Sequence, residues 1–193
     1  MIVALVLAAG SGTRFSTRSN KLLEAFHGRP LVRCAVDAAL ASRVEETFVV
    51  TGFDAERVEG ALAGLPVRIV RNFEHEEGMA ASLRAGLRQA PDADGVVVLL
   101  GDMPLISPGL IDRLIEAFEV GGASAVAPTH GGRRGNPVLL GRALFPHVAR
   151  LSGDAGARAL LRAREDVREI ETDEVGVVLD VDAASDLAGL NRR

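Results

Sequence analysis

The sequence predicts an α/β protein, a single-domain three-layer α/β/α sandwich built on a mostly parallel sheet, and three observations carry that prediction. Short aliphatic runs alternate with stretches of helical periodicity almost to the end of the chain, the pattern of strands joined by crossover helices. The run Val96–Leu100 is unbroken and aliphatic, as in a strand covered on both faces. The 193 residues, 48% of them hydrophobic, suffice for one substantial core and are few for two.

The elements come in order along the chain. Ile2–Leu7 is the first strand, and a helix runs from about Leu31 to Ser42. Thr47–Thr51 is the second strand, after which Asp54 stands where an N-cap would open a helix to about Leu62. Val67–Arg71 is a third strand, Met79–Gln89 a helix and Val96–Leu100 the fourth strand. Ser107 and Pro108 supply an N-cap and a first-turn proline for a helix to about Val120. Ala125–Ala127 opens a further strand, and Asn136–Leu140 is another. Helices at Ala143–Arg150 and Ala155–Arg164, strands at Val167–Glu171 and Val177–Leu179, and a helix at Ala184–Leu190 complete the reading.

Composition narrows the functional classes. Net charge is −4 and the 25% of charged residues form no long block, whereas a protein held by a nucleic-acid backbone needs a basic surface. Aromatic residues are 4%, without Trp or Tyr, so stacking platforms for single strands are scarce. No apolar run approaches the roughly 20 residues of a membrane span, and Met1–Leu7 lacks the basic lead-in of a signal peptide. Cys34 is the one cysteine and lies in an apolar helical pattern, so it reads as a small core residue and no disulfide can form within the chain. These features point to a cytoplasmic protein with neither nucleic-acid nor membrane partners.

The chemistry concentrates where strands end. Leu7, Ala8 and Ala9 lead into Gly10-Ser11-Gly12-Thr13-Arg14, and Lys21 follows seven residues later. Gly10 and Gly12 let backbone N–H groups approach an anion, and Arg14 and Lys21 can neutralise phosphate charge, so a nucleoside triphosphate is the expected ligand. The same residues also fit an ordinary strand-to-helix turn followed by two surface cations. No Gly-Lys pair occurs, which argues against a Walker loop, and Phe15 stands where a dinucleotide fingerprint needs its third glycine. Gly101-Asp102-Met103-Pro104 follows the buried fourth strand; Asp102 can hold a divalent ion against the triphosphate or cap a local turn. Asp182, with Asp180 as the alternative, is the candidate second metal ligand and equally a helix cap. Gly78 and Ser82, at a glycine turn opening a helix, can receive base or ribose, or serve only structure. His27, His75, His130 and His147 have no metal-ligand spacing.

Taken together these segments resemble the MobA-like NTP transferases, and within them the molybdenum cofactor cytidylyltransferase type. Leu7–Arg14 with Asn20-Lys21-Leu22-Leu23 is similar to the family's nucleotide loop, and Gly101–Pro104 to its metal motif. Ala9, where guanylyl-transferring relatives usually carry glycine, favours the cytidylyl branch. Gly78–Leu83, Arg134–Leu139, Ser152–Arg158 and Asp182–Leu187 are similar to its later segments, so the resemblance spans nearly the whole chain. Departures are Phe15-Ser16 for the usual Met-Gly, Thr17-Arg18-Ser19 ahead of Asn20, Ala25 or Phe26 near a common proline, and Asn136 in place of histidine.

The resemblance implies a Rossmann-like, nucleotide-diphospho-sugar transferase-like fold, with about 1–128 binding nucleotide and about 129–182 binding acceptor. It implies transfer of CMP from CTP to a molybdopterin-type acceptor with Mg2+ and release of pyrophosphate. Arg14 and Lys21 would be the cations and Asp102 and Asp182 the metal holders. Leu7, Ala8, Ala9, Gly10, Gly12, Gly78 and Ser82 would line the nucleotide. His130, Arg133, Arg134 and Asn136 would face the acceptor, and a client molybdoenzyme or its chaperone would be a further partner. The alternatives are transfer to another phosphorylated small molecule such as a sugar phosphate, an NAD(P)-binding reductase subunit, or a catalytically silent cofactor carrier.

Overall fold

The structure, a computed structural model, describes residues 1–10, 20–162, 164–181 and 184–190. β1 (Ile2–Ala8) is followed by a short 3-10 turn at Lys21–Leu23, a two-residue hairpin of β2 (Ala25–Phe26) and β3 (Arg29–Pro30), and α1 (Leu31–Leu40). Next come β4 (Glu46–Thr51), α2 (Ala55–Ala61), β5 (Arg68–Arg71), a 3-10 turn at His75–Glu77, α3 (Met79–Leu87), β6 (Gly95–Leu100) and α4 (Pro108–Glu119). The second half holds β7 (Ala125–His130), β8 (Arg133–Arg134), β9 (Val138–Gly141), α5 (Phe145–Val148), α6 (Ala157–Leu161), β10 (Val167–Glu171) and α7 (Ala184–Leu190).

The sheet order is β10-β7-β9-β6-β1-β4-β5, with β8 added to β7. β1 pairs in parallel with β4 and β6, and β4 with β5, while β9 runs antiparallel to both its neighbours. The insertion of β9 leaves β7 pointing the same way as β6. The carboxyl ends of β1, β4, β5, β6 and β7 therefore share one rim, where ligands of such sheets collect.

Side-chain alternation explains the three layers. Ala4, Val6 and Ala8 of β1 join Val49, Val97 and Leu99 under α1 and α4, which contribute Val32, Val36, Leu110 and Leu114. Val3, Leu5 and Leu7 face the other way, with Phe48, Val98, Leu83 and Leu161. Every residue of β1 is buried, because both faces are covered and both edges paired. Gly86 lets α3 settle onto β1, since a methyl there would strike the branched end of Leu5. A third cluster, Phe26, Leu31, Cys34, Val181 and Leu187, closes α7 onto the β2–β3 hairpin.

Most predicted elements are present with ends moved by a residue or two, and three differ. The expected strand Val177–Leu179 lies within and after a 3-10 turn, Val175–Val178. Val177 is buried there and its carbonyl accepts the Asn136 N–H at 2.9 Å, while Gly176 comes so close to Leu105 that a β-carbon would sit 2.7 Å from the Leu105 Cβ. The chain turns to cover the core instead of extending a sheet edge. Asp54 precedes α2 but lies in the left-handed region (φ 54°) without a side-chain cap bond, its carboxylate taking Arg57 Nη1 at 3.0 Å. Asp154 lies ahead of α6, which starts only at Ala157 because the backbone at Gly153 is left-handed and at Gly156 extended.

Candidate nucleotide and metal site

Lys21 reaches the rim because Asn20 presents it. The buried Asn20 accepts the Leu22 N–H on Oδ1 at 3.1 Å and starts the 3-10 turn. Leu22 is buried against Gly101, the residue that follows β6. Lys21 Nζ then donates to Asp102 Oδ2 at 2.7 Å and to the Val181 carbonyl at 3.0 Å. The Asp102 carbonyl in turn accepts the Val181 N–H at 3.0 Å. One backbone segment thus grips both members of the ion pair.

The pair is shielded, with 13% of the Lys21 side chain and 17% of the Asp102 side chain exposed. Asp102 Oδ1 is buried and has no hydrogen-bond partner among the described residues. A desolvated carboxylate oxygen left unmatched is costly, and a cation ligand satisfies it. Among the described residues no three His, Cys, Asp or Glu side chains group to hold an ion. A cation at Asp102 would therefore complete its coordination largely from substrate oxygens and water.

The end of β1 forms the floor. Leu7, Ala8 and Ala9 are buried, and Gly10 is exposed, with none of the described residues near the place a β-carbon would take. The Leu7 carbonyl accepts the Gly101 N–H at 3.0 Å and the Ala9 carbonyl accepts the Phe53 N–H at 3.1 Å, so the end of β1 is tied to the loops leaving β6 and β4. Gly12, Arg14 and Asp182 lie outside the described residues. Val181, immediately before Asp182, is the residue fastened to Asp102.

Beside the floor a cavity of about 360 Å³ opens at the ends of β4 and β5, lined by Gly52, Asp54, Arg71, Asn72, Phe73 and His75 among others. Its size falls within the roughly 300–1,000 Å³ of small-molecule pockets. A methyl on Gly52 would come within 2.6 Å of His75 Cβ and 2.9 Å of Ala9 Cβ, so the glycine lets these two side chains close on it. The buried Asn72 donates to Ser82 Oγ at 3.0 Å and accepts the Glu74 N–H on Oδ1 at 3.0 Å. Ser82 is therefore brought to the cavity's supporting layer. Gly78 (φ 94°) sits against the carbonyl of Gly153, which also accepts the Ala80 N–H at 3.0 Å, so this helix start meets the loop before α6. Beneath the rim Glu59 takes a two-point bond from Arg71 at 2.8 Å and one from Thr51 Oγ1 at 2.9 Å, and the Arg71 guanidinium holds its carboxyl below the usual range.

Gly52, Asn72 and the Val181 carbonyl were not singled out by sequence reasoning. Gly52 and Asn72 carried a signal, since each comes directly after a parallel strand at the rim; a backbone carbonyl carries none. Of the residues expected over the acceptor, Arg134 and His130 make side-chain contacts within the fold and Asn136 makes a backbone one. Arg134 pairs with Glu169 and donates to the Leu161 carbonyl at 2.7 Å, His130 Nδ1 lies 2.9 Å from the Thr172 carbonyl, and the Asn136 N–H is taken by Val177. Arg133 is exposed. Among the described residues no helix is long and apolar enough to cross a membrane.

Comparison with known proteins bears on the family and the fold. The nicotine blue oxidoreductase of Paenarthrobacter nicotinovorans is 34% identical over 169 residues, 84% of this chain and 82% of that protein. The bifunctional protein GlmU of Halorhodospira halophila is 35% identical over 68% of this chain, which spans only 28% of that longer protein. The crystal structure of Rv0371c from Mycobacterium tuberculosis H37Rv superposes with a TM-score of 0.87 at 30% identity, covering 100% of this chain and 97% of that one. Its complex with manganese gives 0.85, also at 30% identity, over 99% and 98%. The family model for the MobA-like NTP transferase domain matches residues 4–168. With that match across most of its length, the chain belongs to the MobA-like NTP transferase family.

Proposed function

We propose that this nucleotidyltransferase moves CMP from CTP to a molybdopterin-type acceptor and releases pyrophosphate. The observation that carries the reading is the Lys21–Asp102 pair on the strand-end rim, with Asp102 Oδ1 buried and unmatched among the described residues. In this reading the backbone from Leu7 through Gly10 and Gly12 lies along the triphosphate, and Arg14 and Lys21 neutralise it. Asp102 and Asp182 hold Mg2+, which when bound offsets charge on the phosphate oxygens. The cavity at Gly52, Asn72 and His75 receives the base, with Ser82 bracing Asn72 and Gly78 fixing the helix start behind it. Residues of about 1–128 serve the nucleotide and about 129–182 the acceptor.

Catalysis on these terms is positioning and charge stabilisation. An acceptor phosphate oxygen attacks the α-phosphorus, a new P–O bond forms, and the bond to the oxygen bridging to the β-phosphate breaks with its electrons leaving on pyrophosphate. A phosphate monoester is already largely ionised near neutral pH, so no side chain is needed to deprotonate it. Ala9 and the segment resembling the cytidylyl branch favour CTP.

A second reading has its own support: one relative is named an oxidoreductase, which keeps an NAD(P)-binding reductase in view. Both are tested by offering purified protein each of the four nucleoside triphosphates with Mg2+ and either molybdopterin cofactor or sugar phosphates. Pyrophosphate release with CTP and the pterin is expected. Release only with a sugar phosphate moves the acceptor; no release from any pair, together with thermal stabilisation by NADH and not by CTP–Mg2+, replaces transfer with reduction.

A further inference from the structure

Lys21 and a divalent cation have claims on the same carboxylate. The Lys21 ammonium lies 2.7 Å from Asp102 Oδ2 and is steadied by the Val181 carbonyl at 3.0 Å. It cancels the charge that would draw a cation to Asp102, and it sets a positive charge within a few ångströms of any ion taken by Oδ1. Both side chains are largely shielded from water, where such repulsion is weakly screened. A triphosphate offers the flexible lysine stem other negative partners on the same rim.

From this we infer that Lys21 imposes an order of binding, nucleotide first and divalent cation second, by occupying Asp102 until phosphate oxygens relieve it. The inference rests on the proposed role of Asp102 as a metal holder. Lys21 acts here on the metal through Asp102 and is, for this purpose, a positioning residue.

The test is Mn2+ titration followed by electron paramagnetic resonance, without nucleotide, on the full chain and on Lys21→Met, with Asp102→Asn marking which binding belongs to the site. Lys21→Met is expected to bind Mn2+ about tenfold tighter or more than the parent, and Lys21→Met/Asp102→Asn to lose that gain. Equal, Asp102-dependent affinity in parent and Lys21→Met overturns the ordering while leaving Asp102 a metal ligand. Absence of Asp102-dependent Mn2+ binding in both proteins, with or without CTP, removes the underlying reading as well. Should Lys21→Met fold poorly, the parent alone decides: calorimetry in EDTA is expected to show CTP binding, and binding that appears only once metal is added overturns the order.

Discussion

Lys21 Nζ and Asp102 Oδ2 lie 2.7 Å apart although 81 residues separate them in the chain. The contact exists because β1 and β6 are neighbours in parallel register, Leu7 opposite Leu100, so the chain leaves both strands at the same height. A charge-assisted bond of this kind, mostly out of water, is worth about 1.5–3 kcal/mol.

Asp102→Asn keeps the size of the side chain and removes its charge. Pyrophosphate release is expected to fall about 10²–10³-fold, the usual loss when one preorganised electrostatic group is removed. The far-ultraviolet circular dichroism spectrum should be unchanged. Near-parental turnover would show that the carboxylate has no part in the reaction.

Gly86→Ala tests how closely α3 rests on the sheet. The added methyl meets the Leu5 side chain, which is buried and has little room to turn. Overpacking of this kind costs about 1–3 kcal/mol, read as a lower urea midpoint at unchanged slope. Gly135→Ala should be worse, because its methyl meets the Val177 carbonyl, a backbone atom that cannot rotate aside.

Acid should uncouple Glu59. Its folded-state pKa is held below the ordinary 4.5, chiefly by the hydrogen bonds from Arg71 and with help from Thr51. A depressed carboxylate pKa contributes stability that is fully present above 4.5 and is lost as pH falls through the lower folded value. Glu59→Gln should therefore flatten the dependence of stability on pH below about 4.5 and leave its slope near neutrality alone. Asp166, held at about 2 by Arg164, has the same sign over the window from 3.8 downward.

Cys34 should be inert in the folded protein. It is buried in the cluster under α7, and burial pushes its thiol pKa up. Labelling by a thiol reagent near neutral pH is expected to be slow under native conditions and rapid in urea. Fast native labelling would mean that α7 opens readily.

Much of this was legible in the sequence. The aliphatic runs that became β1, β4 and β6 carry their burial in their composition, and the rule placing ligands at the carboxyl ends of parallel strands was enough to bring the loops after β1 and β6 to one rim. The partner of Arg134 was not legible, because an arginine in a glycine-rich loop looks the same in sequence whether it faces an anion or holds Glu169. Val177–Leu179 reads as a strand by residue type alone. What turns it is Gly176 meeting Leu105 and the carbonyl of Val177 receiving Asn136, and both are tertiary facts.

Val181 hydrogen-bonds to Asp102 through its N–H and to Lys21 through its carbonyl, the latter across 160 residues of chain. During synthesis the rim residues of β1, β4 and β6 would fold well before position 181 leaves the ribosome, yet the Val181 carbonyl would not be in place for the lysine. Assembly of the charged centre is thereby coupled to late docking of the C-terminal region, a long-range closure that is slow relative to local folding. A nascent chain halted before that point would carry the sheet and no finished centre.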